Sequence, residues 1–188
     1  MKRFYDDNNF DYEKYKSAQI EKNIKKLQYT WIKPSEIKLI YKYLKSINPV
    51  FGIDHGARNN SFSKQMMEKF PELKVIGTDI SPTIVEYGGI EWDMTVRNEE
   101  WVNKFDFVYT NSIDHCPNFE EAFNILYEQV SPGGVLFLHL DFDHENLDEA
   151  DCTSIDRDFI FDYLKNHNLN YKIRQMWKHR PIICIRKQ

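Results

Sequence analysis

The stretch VFGIDHGARNN (residues 50–60) decides the fold: an apolar run that reads as a strand, an acid at its end, then a turn-rich segment opening into a helix. The same grammar recurs downstream. LKVIGT (73–78) is a strand delivering Asp79, IEW (90–92) a shorter one before Asp93, and FDFVYT (105–110) one before Asn111-Ser112-Ile113-Asp114-His115. Val135 to Leu140 is the most apolar strand and delivers Asp141-Phe142-Asp143. Helices are expected around Phe62 to Lys69, over Asn118 to Val130 with Phe119, Ala122, Phe123, Leu126 and Tyr127 inward, and near Ile155 to Asn166. Ser131-Pro132-Gly133-Gly134 reads as a turn. Tyr171 to Trp177 and Pro181 to Ile185 are β-rich, and the link Lys178-His179-Arg180 is too short for a helical crossover, so they form an antiparallel hairpin. Strands alternating with helices imply right-handed crossovers and an α/β, doubly wound, mostly parallel sheet with an antiparallel edge.

Upstream, residues 1–48 are crowded with Lys, Tyr, Asn and Asp and show no strand-like run. Tyr12, Tyr15, Ile20, Ile24 and Leu27 predict one amphipathic helix, and Ile37, Ile40, Tyr41 and Leu44 a second that ends at Asn48-Pro49. Residues 1–48 are therefore expected to be an N-terminal helical cover, and 49–188 the sheet domain. The aromatic residues Phe4, Tyr5, Phe10, Tyr12, Tyr15, Tyr29 and Trp31 either stack on a ligand or pack over the sheet. Packing is the expectation for Tyr29 and Trp31.

The 188 residues suit one domain with a modest appendage. At 41% hydrophobic and 29% charged the chain is neither disordered nor built around a membrane span. The N-terminus MKRFYDDNNF lacks an apolar leader segment, and the three cysteines, Cys116, Cys152 and Cys184, are widely spaced. Both features point to a reducing, cytoplasmic setting, and the cysteines argue against a structural zinc site. A net charge of −4 provides no footprint for a nucleic-acid duplex. Asp141, Asp143 and His144, with Asp114 and His115, contain metal-ligand types, but no paired motif fixes their geometry, so no metal is expected. No H-E-x-x-H, serine elbow or P-loop is present.

In doubly wound sheets ligands bind outside the carboxyl ends of the strands, and that is where the acids and amides gather. Asp79 follows Asp54 by 25 residues, close to the interval at which a dinucleotide fold places its ribose acid. A helix cap at Ser81-Pro82 is its alternative role. Asp93 is either a second ligand acid or a turn residue.

The series GIDHGARNN, VIGTDIS, IEWDM, FDFVYTNSIDH and SPGGVLFL resembles, in that order, the class I S-adenosylmethionine-dependent methyltransferases, over residues 50 to about 187. The resemblance implies a Rossmann-like seven-stranded sheet of order 3-2-1-4-5-7-6, S-adenosyl-L-methionine as cofactor, and a small-molecule acceptor. It assigns the methionine portion to His55, Gly56, Ala57, Arg58 and Asn60, the ribose to Asp79 with Ile80, and the adenine to Asp93 with Met94. Asn111 and Ser112 face the methyl group. His115 is the candidate base, with Asp114 orienting it or taking a proton itself, while His139 inside its strand reads as a core histidine and His55 competes for the base role.

The family loop carries glycine where this chain has Arg58 and Asn60. Asn60 tolerates positive φ; Arg58 is not a conformational substitute and instead offers its fork to a carboxylate. The histidine before Gly56 and the Arg-Asn after it are similar to glycine-poor variants among methyltransferase-like proteins of sugar and surface-polysaccharide pathways. The expected function is methyl transfer to an O or N atom of a small molecule, a sugar or polysaccharide precursor among the candidates. The alternative is a non-catalytic module of the same fold that has lost cofactor affinity. A nucleic-acid methyltransferase is disfavoured by the acidic balance and by the absence of an Asx-Pro-Pro-aromatic signature. A nicotinamide oxidoreductase is disfavoured because HGARNN supplies one glycine of the three its pyrophosphate needs.

Overall fold

The computed structural model describes residues 1–5, 9–142, 146–177 and 179–188. Asp143, His144 and Lys178 lie outside them. Seven strands form one sheet: β1 (Phe51–His55), β2 (Lys74–Asp79), β3 (Ile90–Glu91), β4 (Phe105–Thr110), β5 (Val130–His139), β6 (Asn170–Trp177) and β7 (Arg180–Arg186). Their order is β3-β2-β1-β4-β5-β7-β6. The four pairings among β1 to β5 are parallel and β7 runs antiparallel to both β5 and β6, as the hairpin reading requires. Order reverses between β1 and β4, so the crevice for a ligand opens at the tips of β1, β2 and β4.

Period-two alternation feeds two apolar layers. Leu136, Leu138, Ile183 and Ile185 face a cluster closed by α4 (Phe119–Gln129) and α5 (Arg157–Asn166). Val135, Phe137, Ile182 and Cys184 face the cluster closed by α2 (Pro34–Leu44) and α3 (Ser61–Lys69). The caps explain where α4 and α5 begin. Asn118 accepts from Glu121 N (3.3 Å) and Asp156 from Phe159 N (2.8 Å), satisfying amides that have no intrahelical partner. Ser131 to Gly134 does not separate helix from strand. It lies within β5, where Phe105 pairs with Val130 and Phe107 with Val135, so the four residues bulge out of the ladder with Gly133 at φ 79°.

The two N-terminal helices are held differently. α2 buries Ile37, Ile40 and Leu44 completely or nearly so, on the order of 5 kcal/mol or more of apolar burial. α1 (Tyr12–Lys25) buries one hydrophobic side chain, Tyr15, and Ile24 is 54% exposed. Its inward stripe is polar rather than the aliphatic one expected from Ile20, Ile24 and Leu27. A two-residue ladder, Lys2–Arg3 against Thr153–Ser154, ties down the chain ahead of α1, although no strand was expected there. Among the described residues no helix is long and apolar enough to cross a membrane. The three cysteines are all buried and unbridged.

Candidate functional site

β1 extends one residue beyond the expected Asp54, and that single step relocates His55. It is fully buried, with Nε2 2.8 Å from Gln129 Oε1 and Nδ1 2.8 Å from Thr78 Oγ1. Burial holds its pKa down to about 4, so it is a neutral core histidine and lines no part of the crevice, contrary to the sequence expectation.

The loop after β1 keeps a glycine-type backbone almost without glycines. Gly56 (φ 74°), Arg58 (φ 49°) and Asn60 (φ 59°) all occupy the left-handed region. For Arg58 this corrects the expectation, since it does take the conformation glycine would. The steric cost is roughly 1–2 kcal/mol for a residue with a Cβ. Arg58 N donating to Asp79 Oδ2 (2.9 Å) and Ala57 N donating to Thr78 O (2.8 Å) offset it. Gly56 itself is obligatory: a Cβ there would lie 2.4 Å from Ser112 Oγ and 2.7 Å from Ser112 Cβ. Asn60 turns away from the crevice, its Nδ2 donating to Tyr87 O (3.3 Å), with its Oδ1 where a Gly77 Cβ would stand. Its contribution is backbone shape, not ligand contact.

Asp79 is 4% exposed. Oδ1 accepts from Ser81 N (2.9 Å) and from Asn23 Nδ2 (2.5 Å), and Oδ2 from Arg58 N. It thus accepts from the amide of Ser81, the residue that opens the following turn, and lines the crevice. Burial pushes its pKa up, and the amides of Ser81 and Arg58 with the Arg58 charge pull against that. Asp93 accepts on Oδ1 from Thr95 N and Thr95 Oγ1 (2.8 Å each) and on Oδ2 from Tyr12 OH (3.0 Å). Burial, then the Asp93 charge, push the Tyr12 hydroxyl up to about 12.

Gly56, Arg58, Asp79, Ile80, Asp93, Met94 and Ser112 line one cleft with His115, closed from above by Tyr15, Gln19, Lys22 and Asn23 of α1. Its volume is about 60 Å³, room for a few waters. Ala57 and Asn111 line a second small cleft beside it. Arg58 separates both from a larger cavity of about 520 Å³ bounded by Tyr29, Trp31, Asn111, Ser112, Asp114, His115, Asp141 and Asp151. The Arg58 guanidinium is held in place, Nε donating to Asn23 Oδ1 (2.9 Å) and Nη1 to Tyr29 O (3.2 Å).

His115 lines that cavity beside an acid, Asp151, that the sequence did not mark. Its Nδ1 lies 3.0 Å from Asp151 Oδ1, whereas Asp114 Oδ1 stands 3.8 Å from Nε2. Asp151, not Asp114, is within hydrogen-bond reach. Burial works to lower the His115 pKa, but Asp114 and Asp151 outweigh it and the net movement is upward. Burial raises Asp151 too, and the His115 and Lys22 contacts overcome it, leaving the carboxyl well below the usual range. Lys22 Nζ pairs with Asp151 and with Asp148 (3.0 Å).

His139 is the core histidine expected, with Nδ1 3.1 Å from Tyr109 OH and Nε2 3.5 Å from buried Glu36. Tyr29, expected to pack, is 64% exposed; Trp31 does pack, under the Arg180 guanidinium 3.8 Å from its ring centre. Among the described residues no cluster of three metal-ligating side chains forms.

No described family pattern matches the chain. Trans-aconitate 2-methyltransferase of Deinococcus radiodurans is 25% identical over 113 residues, 57% of this chain but only 44% of that protein's length. Among solved structures, the 1,6-didemethyltoxoflavin-N1-methyltransferase of Burkholderia thailandensis, bound to 1,6-didemethyltoxoflavin and S-adenosylhomocysteine, superposes over 100% of both chains with a TM-score of 0.69 at 11% identity. The chain has the class I methyltransferase fold. A DhpI complex with S-adenosylhomocysteine shares this methyltransferase fold over 93% of this chain and 98% of its own (TM-score 0.69, 14% identity). So does an O-methyltransferase family protein of B. thailandensis, of which the chain covers 60% (TM-score 0.69, 11% identity). The strand order is the one the family resemblance implied, and the crevice lies at the strand tips where the acids were expected to gather.

Proposed function

We propose that this chain transfers a methyl group from S-adenosyl-L-methionine to an oxygen or nitrogen of a small molecule. One observation carries the reading. The bend at Gly56, the acids Asp79 and Asp93, and His115 converge on adjoining clefts at the tips of β1, β2 and β4.

The donor set suits the nucleoside. Asp79 and Asp93 now accept hydrogen bonds from an amide N–H and a hydroxyl, the donor types that an adenine amino group and ribose hydroxyls carry. Asp79 would hold the ribose, Asp93 with Met94 the adenine, and Gly56, Ala57 and Arg58 the methionine portion. When bound, the sulfonium supplies a methyl carbon whose bond to sulfur breaks as the bond to the acceptor forms.

The remaining work belongs to the chain. The 520 Å³ cavity holds the acceptor between Trp31 and the loop after β4, where Asn111 and Ser112 orient it. With Asp151 Oδ1 3.0 Å from His115 Nδ1, the tautomer protonated at Nδ1 is favoured, and its Nε2 is the atom that accepts the acceptor's proton. Without the nucleoside, α1 and Arg58 cover the crevice. The cover is thus α1 and the segment leading to Trp31, while α2 belongs to the core layer.

Equilibrium dialysis with methyl-labelled S-adenosylmethionine tests the first half; absence of binding ends the reading. A panel of hydroxyl- and amine-bearing acceptors, sugars included, tests the second by release of S-adenosylhomocysteine. A His115→Ala variant that binds cofactor and turns over fully would remove the base assignment. The non-catalytic alternative has one observation in its favour, the occupation of both acids by α1, and the dialysis experiment decides between the two.

A further inference from the structure

α1 presents Tyr12, Lys16, Gln19 and Asn23 on one face, at spacings of four, three and four residues. Each meets a polar group at the sheet edge or beside it. Tyr12 OH donates to Asp93 Oδ2 (3.0 Å), Lys16 Nζ to Glu91 Oε1 (3.2 Å), Gln19 Nε2 to Ala150 O (2.5 Å) and Asn23 Nδ2 to Asp79 Oδ1 (2.5 Å). Asn23 also accepts from Arg58 Nε, so one amide bridges the acid after β2 and the bend after β1. A helix docked for good buries an apolar stripe, as α2 does with Ile37, Ile40 and Leu44. α1 buries Tyr15 as its one hydrophobic side chain and Asn23 beside it, and is otherwise attached through hydrogen bonds and ion pairs that water or a ligand can replace.

Both of its ends are tethered. Upstream stand the Lys2–Arg3 ladder and the Met1 ammonium on Asp156. Downstream Trp31 is pinned by Arg180, through its ring and through Arg180 Nη2 donating to Trp31 O (3.2 Å).

We propose that α1 is a displaceable gate whose polar stripe occupies the strand-tip acids in place of the nucleoside, so that binding a nucleoside lifts the helix. The proposal rests on the cofactor reading above and adds to it a closed state. The 60 Å³ left under α1 admits a few waters, and it is the hydrogen bonds of Asn23 and Tyr12 that an adenosine must take over. The same movement acts on the acceptor side. Lys22, next to Asn23, leaves Asp148 and Asp151, and the latter remains with His115. The same movement takes Asn23 from Arg58 Nε and so frees the side chain that stands between the nucleoside cleft and the acceptor cavity.

The experiment uses the full chain, with S-adenosylhomocysteine as probe, in two measurements. Calorimetry compares the wild type with Asn23→Ala, Tyr12→Phe and the double variant. Each single variant is expected to bind roughly tenfold or more tighter, the equivalent of one released hydrogen bond to a carboxylate. Hydrogen exchange of the wild type, which needs no variant, is expected to show the amides of residues 12–25 losing protection as the ligand is added. Weaker binding by Asn23→Ala, or a gain of protection over 12–25, overturns the gate and makes α1 a clamp while leaving the cofactor reading intact. If neither the wild type nor the double variant binds, the cofactor reading fails and the gate fails with it.

Discussion

Replacing Asp79 by alanine separates a ligand acid from a structural cap. In the proposed complex its carboxylate accepts from two ribose hydroxyls, and hydrogen bonds to a charged group contribute roughly 1.5–3 kcal/mol each, so about 3–6 kcal/mol is at stake. Against this, alanine also frees Asn23, whose bond to the same carboxylate in the closed state is worth about as much as one of those to ribose. The net loss is about 1.5–3 kcal/mol, or roughly tenfold or more in affinity. Isothermal calorimetry with S-adenosylhomocysteine reads this directly. Thermal unfolding of the same samples reads the structural cost, about 1–3 kcal/mol for leaving the amides of Arg58 and Ser81 without their acceptor. Asp79→Asn, which retains one carbonyl acceptor in the same volume, should fall between. An Asp79→Ala variant that folds and binds within threefold of the wild type would refute the ribose assignment, and with it the pairing of motif and crevice.

Three further outcomes are expected. Asp54, fully buried beside Ser63 and near Asp79, has its pKa pushed up to about 8 by burial, from an ordinary 3.8. The folded chain keeps a proton that the unfolded chain loses, so stability falls as pH rises from about 4 to 8; Asp54→Asn should flatten that slope in thermal melts, and an unchanged slope counts against it. Among the groups around His115, Asp114 and Asp151 raise its pKa while Lys22 lowers it, so Asp151→Asn should move its NMR titration to lower pH; an unmoved curve would deny Asp151 the orienting role. Arg180→Met strands buried Glu36, whose Oε2 lies 3.2 Å from Arg180 Nη2, and should cost about 3–5 kcal/mol in denaturant unfolding; a loss below 1 kcal/mol would show that His139 and Lys33 N suffice.

Much of the site was legible because strand-tip chemistry follows from local alternation. A run such as FDFVYT ends where its apolar period ends, and the next residue then faces the crevice, which is how Asp79, Asp93 and Ser112 were read. The reading failed where one residue of register mattered: β1 running on to His55 carried that side chain under the sheet, onto Gln129 and Thr78. It failed again at Asp151, whose loop brings it 36 residues back along the chain to His115 without any motif to mark it. Arg58 shows a third kind of failure. Propensity argued against positive φ, and the hydrogen bond of its amide to Asp79 outweighed propensity.

By itself, then, the amino-acid order determined the doubly wound sheet, its antiparallel edge and the acids at its tips, because alternation, turn chemistry and crossover handedness are local constraints that act in concert, while the 3-2-1-4-5-7-6 threading was implied only by the family resemblance. Only the tertiary structure decided what meets those acids. α1 has a period that predicts a helix, and of the apolar stripe read from it Tyr12 and Tyr15 do turn to the crevice while Ile24 stays exposed. Which side turns inward was settled by partners distant in sequence, Asp79 and Asp93 drawing Asn23 and Tyr12 down, since a buried carboxylate without a donor costs more than an exposed isoleucine.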